Sequence, residues 1–178
     1  MNQAEKRVFL IQRLLDEDRR YRGMEIPADA LEQKRMLRSL MNIRRPQAVD
    51  AEFLAVQDDY LRQESEAAGI TRLADLEPVC GDLYLWQGDI TRLRCGAIDN
   101  AANSGMTGCY VPCHTCIDNC IHTFAGIPAP AGLRRAHGAP GPRGAHRAGQ
   151  NHFRLQSALR LCTAYRRPHH SGPCDPGG

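Results

Sequence analysis

Residues 82–127 read DLYLWQGDITRLRCGAIDNAANSGMTGCYVPCHTCIDNCIHTFAGI, and this stretch decides the fold. Leu83 to Trp86 is a short aromatic and aliphatic run, stopped by Gln87-Gly88-Asp89. Ala97-Ile98 is a second short apolar run, and Asn100 through Gly108 after it are mostly small and polar. Cys116 to Ala125 has helical character. Short strands ending in Gly/Asn/Asp loops and feeding a helix predict alternating α/β structure. In such folds ligands bind beyond the carboxyl ends of the strands, where these loops lie.

The loop between the second run and the helix carries the chemistry. Cys109, Cys113, His114, Cys116, Cys120 and His122 fall within 14 residues. Thiolates and imidazole are the ligands that Zn²⁺ favours, and three protein ligands leave a position for water or substrate. Cys109-x4-His114-x-Cys116 makes such an open site; sets that use Cys113 or Cys120, including a closed four-ligand site, are also compatible with the spacing. An iron–sulfur cluster fits less well, because Pro112 and the single helix constrain the cysteines. Buried free thiols are the bland alternative, since free Cys packs as a small hydrophobe.

Three further features stand near this loop. Asp89 ends a strand, where a carboxylate commonly serves a turn or a helix N-cap. Asn100-Ala101-Ala102-Asn103 sets two amides among tiny side chains, which leaves room for a ligand's close approach. Asp118 and His122 are four apart on the expected helix and read by default as a surface pair.

Outward from this stretch the chain divides by composition. Residues 1–80 are helical in pattern. Val8, Leu10, Ile11, Leu14 and Leu15 follow helical spacing. A second helix starts after Pro27 and ends by Pro46, and a third runs from near Asp50 to Gly69. Each carries an apolar stripe that needs a surface to cover it, which predicts a helical cap on a neighbouring domain. Residues 128–178 hold eight arginines, no lysine, one acid (Asp175), and seven of the 11 prolines. They form a basic, low-complexity tail expected to be largely disordered, with one weak helical candidate at His152 to Leu161. Residues 1–127 are net acidic, so the formal charge of +3 averages two unlike parts.

Composition also excludes some classes. No run of 18 apolar residues exists, so a transmembrane helix is not expected. The amino end, MNQAEKRVFL, lacks the pattern of a secretory signal. Four of the eight cysteines crowd between Cys109 and Cys120, which reads as metal chemistry in a reducing, cytoplasmic compartment.

Taken together, LYLWQGDITRL, AIDNAANS and GCYVPCHTCIDNCIHTFAG resemble the macro domain, specifically its zinc-dependent branch of protein-ADP-ribose hydrolases. LRSLMNIRRP, FLAVQDDYL and GITRLADLEP resemble that branch's amino-terminal extension. The resemblance covers almost all of residues 1–127. It implies a three-layer α/β/α domain with a mixed sheet over residues 81–127 and beyond, preceded by the helical extension 1–80. It implies that Asp89 and Ile90 meet the adenine and that Asn100 and Asn103 line the distal ribose. Cys109, His114 and Cys116 would hold Zn²⁺, with Cys113 an extra neighbour. Asp118 and Asn103 would serve catalysis, and the reaction would remove ADP-ribose from a mono-ADP-ribosylated protein. No nucleic-acid or membrane partner is expected, and the chain is expected to be monomeric.

One local departure is Asp99, where the family has an apolar residue; a carboxylate on a buried strand costs stability unless it is paired. The larger departure is the tail. In degenerate codons read one base out of step, Pro128 to Gly132 can encode QLRLA. His146 to His170 can likewise encode TGQAKITSAYNLP and, after two residues, YVLHTVGPI, strings the family carries next. The expectation is a frameshift near codon 127 that leaves the macro domain incomplete, its apolar faces exposed and its activity impaired. A module that binds ADP-ribose without hydrolysing it is the alternative. A zinc-stabilised helical protein whose basic tail binds nucleic acid is a third reading.

Overall fold

A computed structural model describes residues 1–96, 98–102 and 108–127, together with the strand Thr163–Tyr165. The three amino-terminal helices form where their spacing predicts. Helix α1 (Gln3–Glu17) opens on a capping box, in which Asn2 and Glu5 each satisfy the other's backbone N–H. Asp29 caps α2 (Ala30–Ile43) through the N–H groups of Leu31 and Glu32, and Asp50 caps α3 (Ala51–Ala68) through that of Phe53. Leu10, Ile11, Leu14 and Leu15 of α1 meet Leu37 and Leu40 of α2 and Phe53, Tyr60 and Leu61 of α3 in one core. Burial pushes the Tyr60 phenol up to about 12.

Charge at the rim of this core is paired. Arg44 forks onto Glu17 at 2.6 and 3.0 Å, and the buried Lys6 reaches Asp59. Chiefly through its hydrogen bond from Lys6, the Asp59 carboxyl is held at about 2, against an ordinary 3.8. A depressed carboxylate stabilises the fold fully above its unfolded pKa and ceases to do so as pH falls through its folded one. Acid titration followed by far-UV circular dichroism should therefore show helix loss setting in below about pH 4.

The strands are short. β1 (Thr71–Arg72) pairs in parallel with β4 (Leu93–Arg94), β2 (Pro78–Cys80) antiparallel with β3 (Leu83–Tyr84), and β5 (Asp99–Ala101) in parallel with β6 (Thr163–Tyr165). Among the described residues these are three separate two-stranded ladders, both parallel and antiparallel, rather than one sheet. The expected strand at Leu83 to Trp86 is thus cut to two residues, since β2 bulges between Pro78 and Cys80 and offers no partner beyond Tyr84. The strand expected at Ala97-Ile98 begins at Asp99 instead, with Ile98 buried ahead of it, and Ala97 lies outside the described residues. β1 and β4 join the two sides of the boundary drawn at residue 80. Val79, Leu83 and Leu85 are exposed, so this part of the chain presents an apolar face to solvent. The helix expected at His152 to Leu161 lies outside the described residues, as does all of the tail except β6.

Helix α4 (Ile117–Ala125) packs one side on α2. The other side builds a second core, in which Ile121 and Ala125 meet Ile98 and the half-buried Ile90. Where α4 ends, the chain docks onto α3. The Gln57 amide is 1% exposed and pairs reciprocally with the Ile127 backbone, accepting from its N–H at 2.7 Å and donating to its carbonyl at 3.2 Å. Gly126 permits this approach at φ +78°, because a Cβ there would stand 2.6 Å from Gln57 Nε2 and 2.9 Å from Leu61 Cδ1. Gly126→Ala is expected to cost about 1–3 kcal/mol, read as a lower urea midpoint at unchanged slope.

Candidate functional site

The site is built on the loop 108–116 and the first two turns of α4. Gly108 enters it at φ +88°, where a Cβ would lie 2.9 Å from the His122 ring. Pro112 and the left-handed Cys113 (φ 53°) then turn the chain back toward the helix. The result brings Cys109, His114 and Cys116 together, their ligating atoms all within 4.8 Å of one another. Cys109 Sγ and His114 Nδ1 are 3.6 Å apart. Zinc–sulfur and zinc–nitrogen bonds of about 2.3 and 2.05 Å meeting at a tetrahedral angle set the two donors about 3.6 Å apart, so the donor set fits Zn²⁺ in type and spacing. His114 is exposed and the two thiols half-buried.

Cys116 has a second task. It is the N-cap of α4, its sulfur accepting from the Asn119 N–H at 3.4 Å. Burial, reinforced by the neighbouring Cys109 and opposed by that N–H, pushes the Cys116 thiol up. A cation held here would reverse this, since a coordinating thiol is deprotonated outright.

Asn119 is fully buried and ties the loop down, its amide donating to the carbonyls of Cys109 (3.2 Å) and Val111 (3.0 Å). From the opposite side α2 grips the same loop. Arg38 Nη2 donates to the His114 carbonyl at 2.7 Å, to Asn119 Oδ1 at 2.9 Å and to Cys120 Sγ at 3.5 Å. Asn42 accepts from the Cys113 N–H at 3.0 Å and donates to Thr123 Oγ1 at 3.0 Å. Ser39 Oγ lies 3.2 Å from Cys113 Sγ, and that thiol donates to the Arg35 carbonyl at 3.4 Å. Cys113 therefore faces α2, and the ligand sets that enlist Cys113 or Cys120 are not the ones assembled. Sequence reading missed Arg38, Asn42 and Asn119. The only available signal was polar residues beside the apolar stripes of α2 and α4, which does not say what they touch.

The second part of the site is a buried polar pair. Asn100, 1% exposed on β5, donates its amide to Asp118 Oδ1 at 2.8 Å. Asp118, 4% exposed on the first turn of α4, also meets His122 Nδ1 at 3.2 Å. The Asp118–His122 contact is thus not a surface pair, its carboxylate being buried and its imidazole half-buried, because this side of α4 lies against β5. Burial pushes the Asp118 carboxyl up, but hydrogen bonds from His122 and Asn100 and the His122 charge outweigh it, and its pKa is lowered. Asp118 is consequently a carboxylate at neutral pH.

The remaining expected residues are dispersed. Asp89 is exposed and caps the turn Ile90–Arg92, accepting from Thr91 N (3.0 Å) and Thr91 Oγ1 (2.7 Å). Ile90 packs into the second core beside Ile121. Asn103 lies outside the described residues. Asp99 is exposed, contrary to the burial expected of it: strand alternation sends Asn100 inward and Asp99 outward, so the desolvation cost does not arise.

Among the described residues, fold and site together define a protein of mixed helix and strand with a Cys-His-Cys group, suited to a metal, just ahead of a helix that bears a buried carboxylate. The chain is a homologue of proteins named protein-ADP-ribose hydrolase. It is 55% identical to the one from Treponema medium over 151 residues, covering 81% of this chain and 58% of that protein. It is 48% identical over 93 residues to the one from Staphylococcus aureus (strain COL), covering 52% of this chain and 35% of that protein. This chain therefore spans little more than half the length of the first relative and about a third of the second. A match to 81% of the chain exceeds what residues 1–127 make up, so the matched segment runs past Ile127. No protein-family model matches the chain. Among the described residues no helix is long and apolar enough to cross a membrane.

Proposed function

We propose that the chain is a zinc-dependent hydrolase that removes ADP-ribose from modified proteins, built on a macro domain. One observation carries this reading: the Cys109-His114-Cys116 group leads directly into the helix that holds Asp118 against Asn100. Homology to proteins named for that activity supports it. Cys109, His114 and Cys116 would hold the zinc, which when bound supplies Lewis-acid polarisation of an oxygen on the substrate or of water.

The chain's own residues do the rest. Asn100 fixes one oxygen of the Asp118 carboxylate and leaves the other to meet the distal ribose. Because its pKa is lowered, Asp118 is better suited to orient a hydroxyl or water, and to stabilise positive charge developing on the ribose as the glycosidic bond breaks, than to abstract a proton. Asn103 would complete the ribose contacts, and Asp89 and Ile90 the adenine contacts. Asp89 can accept from an adenine amine once Thr91 has satisfied only one of its oxygens.

The protein is read as a cytoplasmic monomer acting on mono-ADP-ribosylated protein, without nucleic-acid or membrane partners. Its tail is read as out of frame from near codon 127, and against that reading stands the match to the Treponema medium protein, which runs past Ile127. Sequencing the coding DNA over codons 120–135 tests it, and the absence there of any neighbouring frame that continues the family pattern would overturn it. The activity is tested by incubating the chain with a mono-ADP-ribosylated protein and measuring released ADP-ribose, with zinc content determined on the same sample. Release that stops on chelation supports the hydrolase. Binding of ADP-ribose without release identifies a binding module instead.

A further inference from the structure

All three candidate ligands sit on one short loop that also offers a competing thiol, Cys113, and the helix that follows adds a second, Cys120. Nothing local to the loop selects among them, since spacing alone allows several ligand sets. The selection comes from outside. On one face of α2, a helix fixed in the amino-terminal core by Leu37 and Leu40, Arg38, Ser39 and Asn42 each touch a different part of the loop. Arg38 reaches the carbonyl of His114, the one imidazole ligand, and the sulfur of Cys120. Ser39 and the Arg35 carbonyl occupy the Cys113 thiol, and Asn42 holds the Cys113 N–H, which sustains the left-handed turn there. Asn119 links the two sides, taking a bond from Arg38 and giving two to the loop.

We infer that Arg38, Ser39 and Asn42 of α2 are the positioning residues of the metal centre, keeping His114 among the ligands and Cys113 and Cys120 out. The amino-terminal helices then do more than cover a neighbouring domain: they determine which side chains reach the ion. The inference rests on the metal-site reading above. Residues outside the ligand shell that orient ligands typically alter metal affinity by about 10- to 100-fold when replaced, which sets the scale of the effect.

The test uses the full chain and its Arg38→Gln and Arg38→Lys forms, and Ser39→Ala/Asn42→Ala as an independent variant. Zinc affinity is measured by competition with a chelator, and Co²⁺ is substituted to count thiolates from its sulfur-to-metal charge-transfer absorption. The unaltered chain should bind one metal with two thiolates. Arg38→Gln should bind zinc about tenfold or more weakly, with Arg38→Lys between the two. The double variant should gain Co²⁺ thiolate absorption as Cys113 joins the set. Thermal unfolding with and without zinc separates positioning from mere support. A supporting role lowers both midpoints equally, whereas a positioning role shrinks the gap between them. Unchanged affinity and thiolate count in every variant would overturn the inference and leave the metal site standing. Failure of the unaltered chain to bind zinc would overturn both.

Discussion

Asp118→Asn should abolish most ADP-ribose release, by about 10²- to 10⁴-fold, while leaving zinc content and the far-UV spectrum as they were. The reason lies in how the carboxylate is held. Asn is nearly isosteric, and its carbonyl oxygen can still accept the Asn100 amide, so the buried contact between β5 and α4 survives. What disappears is the negative charge, which the pairing with His122 and Asn100 keeps present at neutral pH against the cost of burial. A group that only supported the fold would change stability and leave turnover per folded molecule intact. A group facing the ribose changes turnover with little change in ADP-ribose affinity, and titration calorimetry beside the release assay separates the two. Asp118→Ala should differ in kind, because it leaves the buried Asn100 amide without its acceptor, at a cost of about 1–3 kcal/mol.

Cys109→Ser should remove stoichiometric zinc, and with it the difference in thermal midpoint between zinc-loaded and chelated protein. A ligand that binds only the folded chain at a thousand times its Kd stabilises by about 4 kcal/mol, so the gap that vanishes is large. Cys109 is a cleaner probe than Cys116, whose sulfur also caps α4 and whose loss would weaken the helix whether or not metal is bound. Equal midpoints for the unaltered chain with and without zinc would show that the Cys-His-Cys group holds no metal.

Much of this was legible beforehand, and for a common reason. The three amino-terminal helices announce themselves through local pattern: apolar residues at helical spacing, an Asn or Asp at each N-cap, and a Gly or Pro at or just beyond two of their ends. The Cys-His-Cys group was legible as chemistry, since its residues lie within eight positions of one another. The strands were legible only as short apolar runs, and Leu83 to Trp86 and Ala97-Ile98 each gave a strand displaced or shortened from the expected one. A strand needs a partner, and for β5 that partner is Thr163–Tyr165, more than sixty residues away.

What the sequence by itself determined is therefore whatever depends on neighbours along the chain: the helices and their caps, and the ligand types. Only the tertiary structure decided which thiols join His114, because Arg38, Ser39 and Asn42 act from a helix about 75 positions upstream. It also decided that Asp118 is a buried carboxylate rather than a surface one, and that Asp99 faces solvent, because burial is a property of what packs opposite. Periodicity shows that a face exists. Its partner, and so the charge state and reach of the groups on it, follow only once distant segments meet.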